Sequence, residues 1–240
     1  MPPSRKQTHV RSHLDLAAEI IDTCRRMNAL GLNQGTSGNI SARLDDGSFL
    51  VTPSGVPYNL MRPQDVPVMD YSGQWYGPRR PSVEWRFHRD ILKARPDVSV
   101  VLHTHSLFTT VLACLRKPIP AFHYMVAVAG GDSIRCASYA TFGTQALSDN
   151  ALKALAGRRA CLLANHGLIC LGTNLDKALG LAVEVETLAA MYSRVCQAGT
   201  PRLLDKAEMG RVLELFRTYG TPEFPDSELK QAAEEFAGSR

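Results

Sequence analysis

The 240-residue chain is 45% hydrophobic, 21% charged and 7% aromatic, the balance of an ordinary globular protein large enough for a sizeable core. Its 27 basic and 23 acidic residues are scattered, with no block of like charge and no aromatic interleaving, so no nucleic-acid partner is expected. There is no run of about 18 apolar residues and no secretory leader in MPPSRKQTHVRSHLDL, so the expectation is a cytoplasmic protein with no membrane association.

From Leu14 to Leu30, apolar residues recur at three- and four-residue steps (Leu16, Ala17, Ile20, Ile21, Cys24, Met27), predicting an amphipathic helix that Gly31 stops. Glycines, serines and threonines then separate short apolar strands near Asn39–Ala42, Ser48–Thr52 and Val66–Asp70, followed by the polar loop YSGQWYGPRRP. A helix is predicted from Ser82 to about Ala94, with Ser82 as its cap and Pro96 forbidding continuation. Val98–Leu102 reads as a buried strand. After it come a helix over Leu107–Leu115, strands over Ala121–Val128 and Ser133–Ser138, and a helix from Thr144 to Leu155. Strands at Ala160–Ala164 and Leu168–Leu171 precede a long helix, Leu175–Ala198, capped by Asn174 and apolar over most of its surface. Asp205–Tyr219 reads as a more polar amphipathic helix, and Gly220 onward as a charged tail.

Helices interleaved with apolar strands imply a sheet layered between helices. No repeat or composition break divides the chain, so one domain over 1–240 is expected, with a flexible amino-terminal segment 1–11 and carboxy-terminal tail 220–240. Six cysteines lie far apart without a C-x-x-C pair and read as reduced core residues.

The histidines carry the chemistry. In VVLHTHS, His103 and His105 follow a Val-rich strand at the i, i+2 spacing that puts both side chains on one face of extended chain. His166 follows another strand and precedes Gly167, so imidazoles at two strand ends can converge on one ion. Three histidines and a carboxylate suit Zn²⁺ or another borderline divalent metal. Glu84, in the first turn of a helix, is otherwise accounted for by the helix dipole. His88 lies four residues on along the same helix face, so spacing alone leaves the fourth ligand open between them. The segments Gly35–Asn39 and Thr52–Gly55 could aim backbone N–H groups at an anion, although plain turns require the same residues.

Taken together, IIDTCRRMNALGLNQGTSGNIS, VTPSGVPY, EWRFH, VLHTHS, IPAFHYM, AGGDSI, YATFGT and NHGL resemble the class II aldolase/adducin family, most closely its branch acting on L-fuculose 1-phosphate. The resemblance runs from about Leu16 to Tyr219. It implies a three-layer α/β/α sandwich with a central, largely antiparallel sheet, and a homotetramer with interfacial active sites. By position, Glu84, His103, His105 and His166 match the family's four zinc ligands, leaving His88 outside the metal sphere; Mn²⁺ or Co²⁺ could replace zinc. The complete set separates this chain from non-catalytic adducin-like proteins. The related ribulose-phosphate 4-epimerases carry aspartate where Glu84 stands.

The chemistry implied is reversible cleavage of a ketose 1-phosphate, L-fuculose 1-phosphate or a related 5-deoxypentulose 1-phosphate, to dihydroxyacetone phosphate and an aldehyde. Zinc would stabilise the enediolate and Glu84 would shuttle the proton on the dihydroxyacetone carbon. Tyr124 matches a tyrosine lent by a neighbouring subunit, and Tyr219 one that helps to close the site. Phosphate recognition falls on Gly38, Asn39, Ser54, Gly55, Ser82 and Val83, where the fuculose-phosphate branch has serine in place of Val83. The competing enzymatic reading is a metal-dependent decarboxylase of a phosphorylated 3-oxo sugar acid, which needs the same charge stabilisation.

Overall fold

Ser12 starts the first helix, α1 (His13–Ala29), with a reciprocal cap: its hydroxyl accepts from Asp15 N while the Asp15 carboxylate accepts from Ser12 N. The stripe expected from the sequence, Leu16 to Met27, is the face that is buried. This computed structural model describes residues 12–217. The expected flexible segment 1–11, the tail 220–240, Tyr219 and the end of the last helix lie outside the described residues.

Eight strands form one sheet: β1 (Asn39–Arg43), β2 (Phe49–Val51), β3 (Val68–Met69), β4 (Trp75–Tyr76), β5 (Val100–Thr104), β6 (Arg135–Ala137), β7 (Ala160–Leu163) and β8 (Gly167–Gly172). Their order is β4-β3-β2-β1-β5-β8-β7-β6. The sheet is mixed, which corrects the largely antiparallel expectation. Helix α4 (Gln145–Leu155) carries the chain back between β6 and β7, so these two run parallel, while the other pairings are antiparallel.

Side chains alternate across the strands. Ile40, Leu102, Leu168 and Cys170 pack under α1, α3 (Leu107–Cys114) and α5 (Leu175–Ala198). Phe49, Val51, Val101, Ile169 and Leu171 pack on the opposite face under α2 (Trp85–Ala94) and α4. The result is helix, sheet and helix in three layers. The last helix, α6 (Lys206–Leu215), is capped by Asp205 and buries Met209 and Val212 against Ala121 and Ala127.

Three expectations from the sequence are revised. The strand over Ala121–Val128 is instead a 3₁₀ turn, Tyr124–Ala129, because Pro118 and Pro120 leave only Ile119 to pair with Ile134, and the His123 ring caps Met125 N. Helix α2 begins at Trp85, not Ser82: Ser82 N is already paired with Thr52 O, and Trp85 N closes a turn onto Ser82 O. Strand β4 lies in the polar loop, which forms a hairpin with β3 closed by the Asp70 carboxylate accepting from Ser72 N and Gln74 N. Of the six free cysteines, Cys24, Cys161 and Cys170 are core residues whose thiols burial pushes up; Cys114 and Cys196 are exposed and Cys136 is half-buried, against expectation. No helix among the described residues is long and apolar enough to cross a membrane.

Candidate metal centre

Strand β5 delivers His103 in its fully buried stretch and His105 just past its end. The β7–β8 hairpin delivers His166 at its tip, where Asn165 takes a left-handed conformation, φ +53°, and lets the chain reverse. The three imidazole rings stand 4.8, 4.8 and 4.9 Å apart in pairs, each nearly perpendicular to the next. One ligand nitrogen from each lies within 4.8 Å of the others. Gly167 makes room for them, since a Cβ there would come within 2.5 Å of Thr104 O and 2.9 Å of the His105 ring.

Glu84 occupies the N-cap of α2. Its carboxylate oxygens lie 3.3 Å from His103 Nε2 and 3.2 Å from His166 Nε2. His103 Nδ1 donates to Leu168 O at 2.9 Å, which leaves the Nε2 lone pair directed at His105 Nε2, 3.0 Å away, and at Glu84. Glu84 Oε1 is buried without a hydrogen-bond donor. Burial pushes His103 down to about 3 and lowers His105, with neighbouring imidazoles adding to both, so these rings are neutral at neutral pH, the form in which imidazole can bind a metal. Burial alone would raise the Glu84 carboxyl, but His103, His166 and the Asn39 amide hold it well below the usual carboxylate range. An ionised carboxylate and three imidazoles converging with an orphaned buried oxygen fit a divalent cation of borderline softness. That donor set separates Glu84, inside the cluster, from His88, outside it.

The loops expected to hold phosphate meet beside Glu84. Thr52 binds the Ile40 backbone through both its own backbone N–H and its side-chain oxygen, and Thr52 O accepts from Ser82 N. Gly38 is buried so tightly that a Cβ would lie 2.7 Å from His103 O. Ser54 and Gly55 are exposed, Gly55 at φ +69°. Ser82 is buried with its oxygen accepting from Glu84 N, whereas Val83 is 51% exposed. Tyr124 is 47% exposed at the start of the 3₁₀ turn, its ring 4.8 Å from that of His123.

Asn39 is placed differently from a simple phosphate ligand. Its amide nitrogen donates to Glu84 Oε2 at 2.9 Å, and its amide oxygen lies 2.6 Å from His88 Nε2. His88 Nδ1 in turn lies 2.7 Å from Ser41 Oγ. Sequence reasoning missed this line, although polar Asn39 and Ser41 flanking apolar Ile40 at period two is its signature. It also missed Glu186 on α5, whose carboxylate accepts from Phe108 N and Thr109 N and so anchors the first turn of α3 directly after His105. A lone carboxylate in mid-helix carries no sequence signal for such a contact.

Comparison with known proteins shows what the chain as a whole is similar to. The family model described as class II aldolase and adducin N-terminal domain matches residues 18–193. A 5-methylthioribulose-1-phosphate/5-deoxyribulose-1-phosphate aldolase of Rhodospirillum rubrum is 56% identical over 209 residues, covering 87% of this chain and 94% of its own. An L-fuculose phosphate aldolase of Escherichia coli K12 is 48% identical over 206 residues, covering 85% and 95%. A solved L-fuculose 1-phosphate aldolase structure superposes with a TM-score of 0.83 at 40% identity, covering 88% of this chain and 99% of its own.

Proposed function

The chain belongs to the class II aldolase/adducin family, and from that membership we propose a zinc-dependent aldehyde-lyase that reversibly cleaves a ketose 1-phosphate to dihydroxyacetone phosphate and an aldehyde. The observation that carries this reading is the convergence of Glu84 with His103, His105 and His166. Identity of 56% to the methylthioribulose- and deoxyribulose-phosphate enzyme, against 48% to the fuculose-phosphate enzyme, favours a 5-deoxypentulose 1-phosphate over L-fuculose 1-phosphate.

Glu84, His103, His105 and His166 would hold the ion. When bound, a divalent cation supplies the charge that stabilises negative oxygen as the carbon–carbon bond breaks. Glu84, ionised and buried, carries the proton on the dihydroxyacetone carbon. Gly38, Asn39, Ser54, Gly55, Ser82 and the backbone at Val83 receive the phosphate, a role supported by the meeting of their loops beside Glu84. Tyr124 serves the aldehyde-side oxygen of a neighbouring subunit, and its exposure in the single chain is compatible with that loan. Tyr219, which by the family resemblance would help to close the site, lies outside the described residues. The assembly is a cytoplasmic homotetramer of one domain per chain; exposed Leu107, Val111 and Leu115, aligned along α3, support self-association.

The test is a substrate panel. Zinc-loaded protein is incubated with 5-methylthioribulose, 5-deoxyribulose and L-fuculose 1-phosphates while dihydroxyacetone phosphate is measured. Release is expected, fastest from a 5-deoxypentulose phosphate. No release from any of them overturns the reading, and carbon dioxide evolved from a phosphorylated 3-oxo sugar acid without aldehyde would replace it with a decarboxylase.

A further inference from the structure

Ser41, His88 and Asn39 form a buried polar line between β1 and α2 that ends on Glu84, and no step of the proposed reaction uses His88. His88 is fully buried, with the Phe87 ring 4.6 Å from its own. Polar groups placed at such a depth are costly unless every one is satisfied, and here both ring nitrogens have a partner.

The direction of every hydrogen bond in the line follows from its end. An ionised carboxylate only accepts, so Asn39 must present its NH₂ to Glu84 Oε2. The Asn39 oxygen therefore faces His88, which must carry its proton on Nε2. His88 Nδ1 is then an acceptor and Ser41 Oγ–H donates to it. Without His88 the Asn39 amide has two orientations of nearly equal shape, and the flipped one sets its oxygen against the carboxylate.

We propose that His88, held as the Nε2–H tautomer by Ser41, is a positioning residue that locks the Asn39 amide with its NH₂ on Glu84 Oε2 and thereby aims the Glu84 carboxylate at the three imidazoles. Asn39 and His103 are directly opposed on β1 and β5, so the lock stands on the strand paired with the one that carries His103. The catalytic consequence rests on the proposed role of Glu84 as proton carrier. The tautomer itself does not.

The test has two arms on the full-length protein. In the first, nitrogen-15 spectra of the imidazoles are recorded on metal-free and zinc-loaded wild type. His88 is expected to show a protonated Nε2 and a bare Nδ1 in both; an Nδ1–H tautomer overturns the proposal. In the second, His88→Leu is expected to lower kcat by about tenfold or more with KM changed by less than about threefold and zinc content unchanged. His88→Gln, which keeps an N–H toward Asn39, is expected to recover most of that loss. In an Asn39→Leu background, His88→Leu should cost less than about a further twofold. Independent losses, or His88→Gln no better than His88→Leu in folded protein, overturn the proposal. If His88→Leu does not fold, the tautomer and the comparison of His88→Gln with wild type decide. Should the wild type cleave no ketose phosphate, the functional reading fails while the imidazole spectra still judge the lock.

Discussion

His103 Nε2 lies 3.3 Å from Glu84 Oε2, with the other imidazole nitrogen of His103 committed as donor to Leu168 O. A lone pair and a carboxylate oxygen are thus held together at ion-pair distance inside the protein. Only a cation or a proton relieves that contact, and burial opposes the proton.

Removing divalent metal with a chelator should therefore abolish turnover and lower thermal stability. A ligand present at 1,000 times its Kd adds about 4 kcal/mol to the folded state, so zinc is expected to raise Tm by several degrees in a concentration-dependent way. Calorimetric scans of chelated and zinc-restored protein check this. An unchanged Tm would argue against a structural grip on the ion.

Glu84→Gln keeps the size and the buried position of the side chain but removes the charge and the base. The variant should fold and assemble as the wild type does while kcat falls by about 10²-fold or more. Full activity in a steady-state assay would dismiss Glu84 as the proton carrier.

Gly167→Ala should be severe, because the new Cβ meets Thr104 O and the His105 ring at 2.5 and 2.9 Å. Loss of zinc from the purified variant, read by metal analysis, is expected together with a lower Tm. Gly180→Ala on α5 has nothing within 4 Å and is the contrast: helix propensity should raise stability by about 1 kcal/mol with zinc retained.

Acid should destabilise the metal-free protein in a defined window. Burial pushes both His88 and His103 from their ordinary value near 6.5 down to about 3. Between those values the unfolded chain binds protons that the folded chain excludes, so stability is complete above about 6.5 and is lost as pH falls toward 3. The depressed Glu84 carboxyl acts in the same direction below its unfolded value of 4.5. Urea titrations across this range should show the decline, with a shallower slope in folded His88→Gln. A flat profile would mean that the two imidazoles are not held neutral.

Val83→Ser restores the hydroxyl of the fuculose-phosphate branch at an exposed position next to buried Ser82. One added neutral hydrogen bond contributes about 0.5–1.5 kcal/mol, so KM for a ketose 1-phosphate should fall by a few-fold with kcat little changed. An unaltered KM would place the Val83 side chain outside the phosphate site.

Much of this molecule is legible in one dimension because period and punctuation are local. The stripe from Leu16 to Met27, the Asn174 cap on α5, with its side chain accepting from Lys177 N, and the stop before Pro96 each depend on neighbours a turn away. The 3₁₀ turn at Tyr124–Ala129 was not legible, since a short apolar run suits a strand and a buried turn equally until its pairing partners are known. Strand β4 was hidden for the opposite reason: its pairing with β3 outweighs the polarity of its surroundings.

Residue chemistry and spacing by themselves determined that two strand ends present imidazoles and that a carboxylate or a fourth histidine stands nearby. Spacing alone could not separate Glu84 from His88, four residues apart on one face of α2; the resemblance favoured Glu84, and only the tertiary structure shows that it is Glu84 that stands beside the imidazoles. Where that face meets the sheet, the N-cap overhangs the ends of β5 and β8, so Glu84 reaches the rings of His103 and His166. One turn further along, the same face lies over β1, where Ser41 and Asn39 occupy both nitrogens of His88 and leave it no lone pair for a metal.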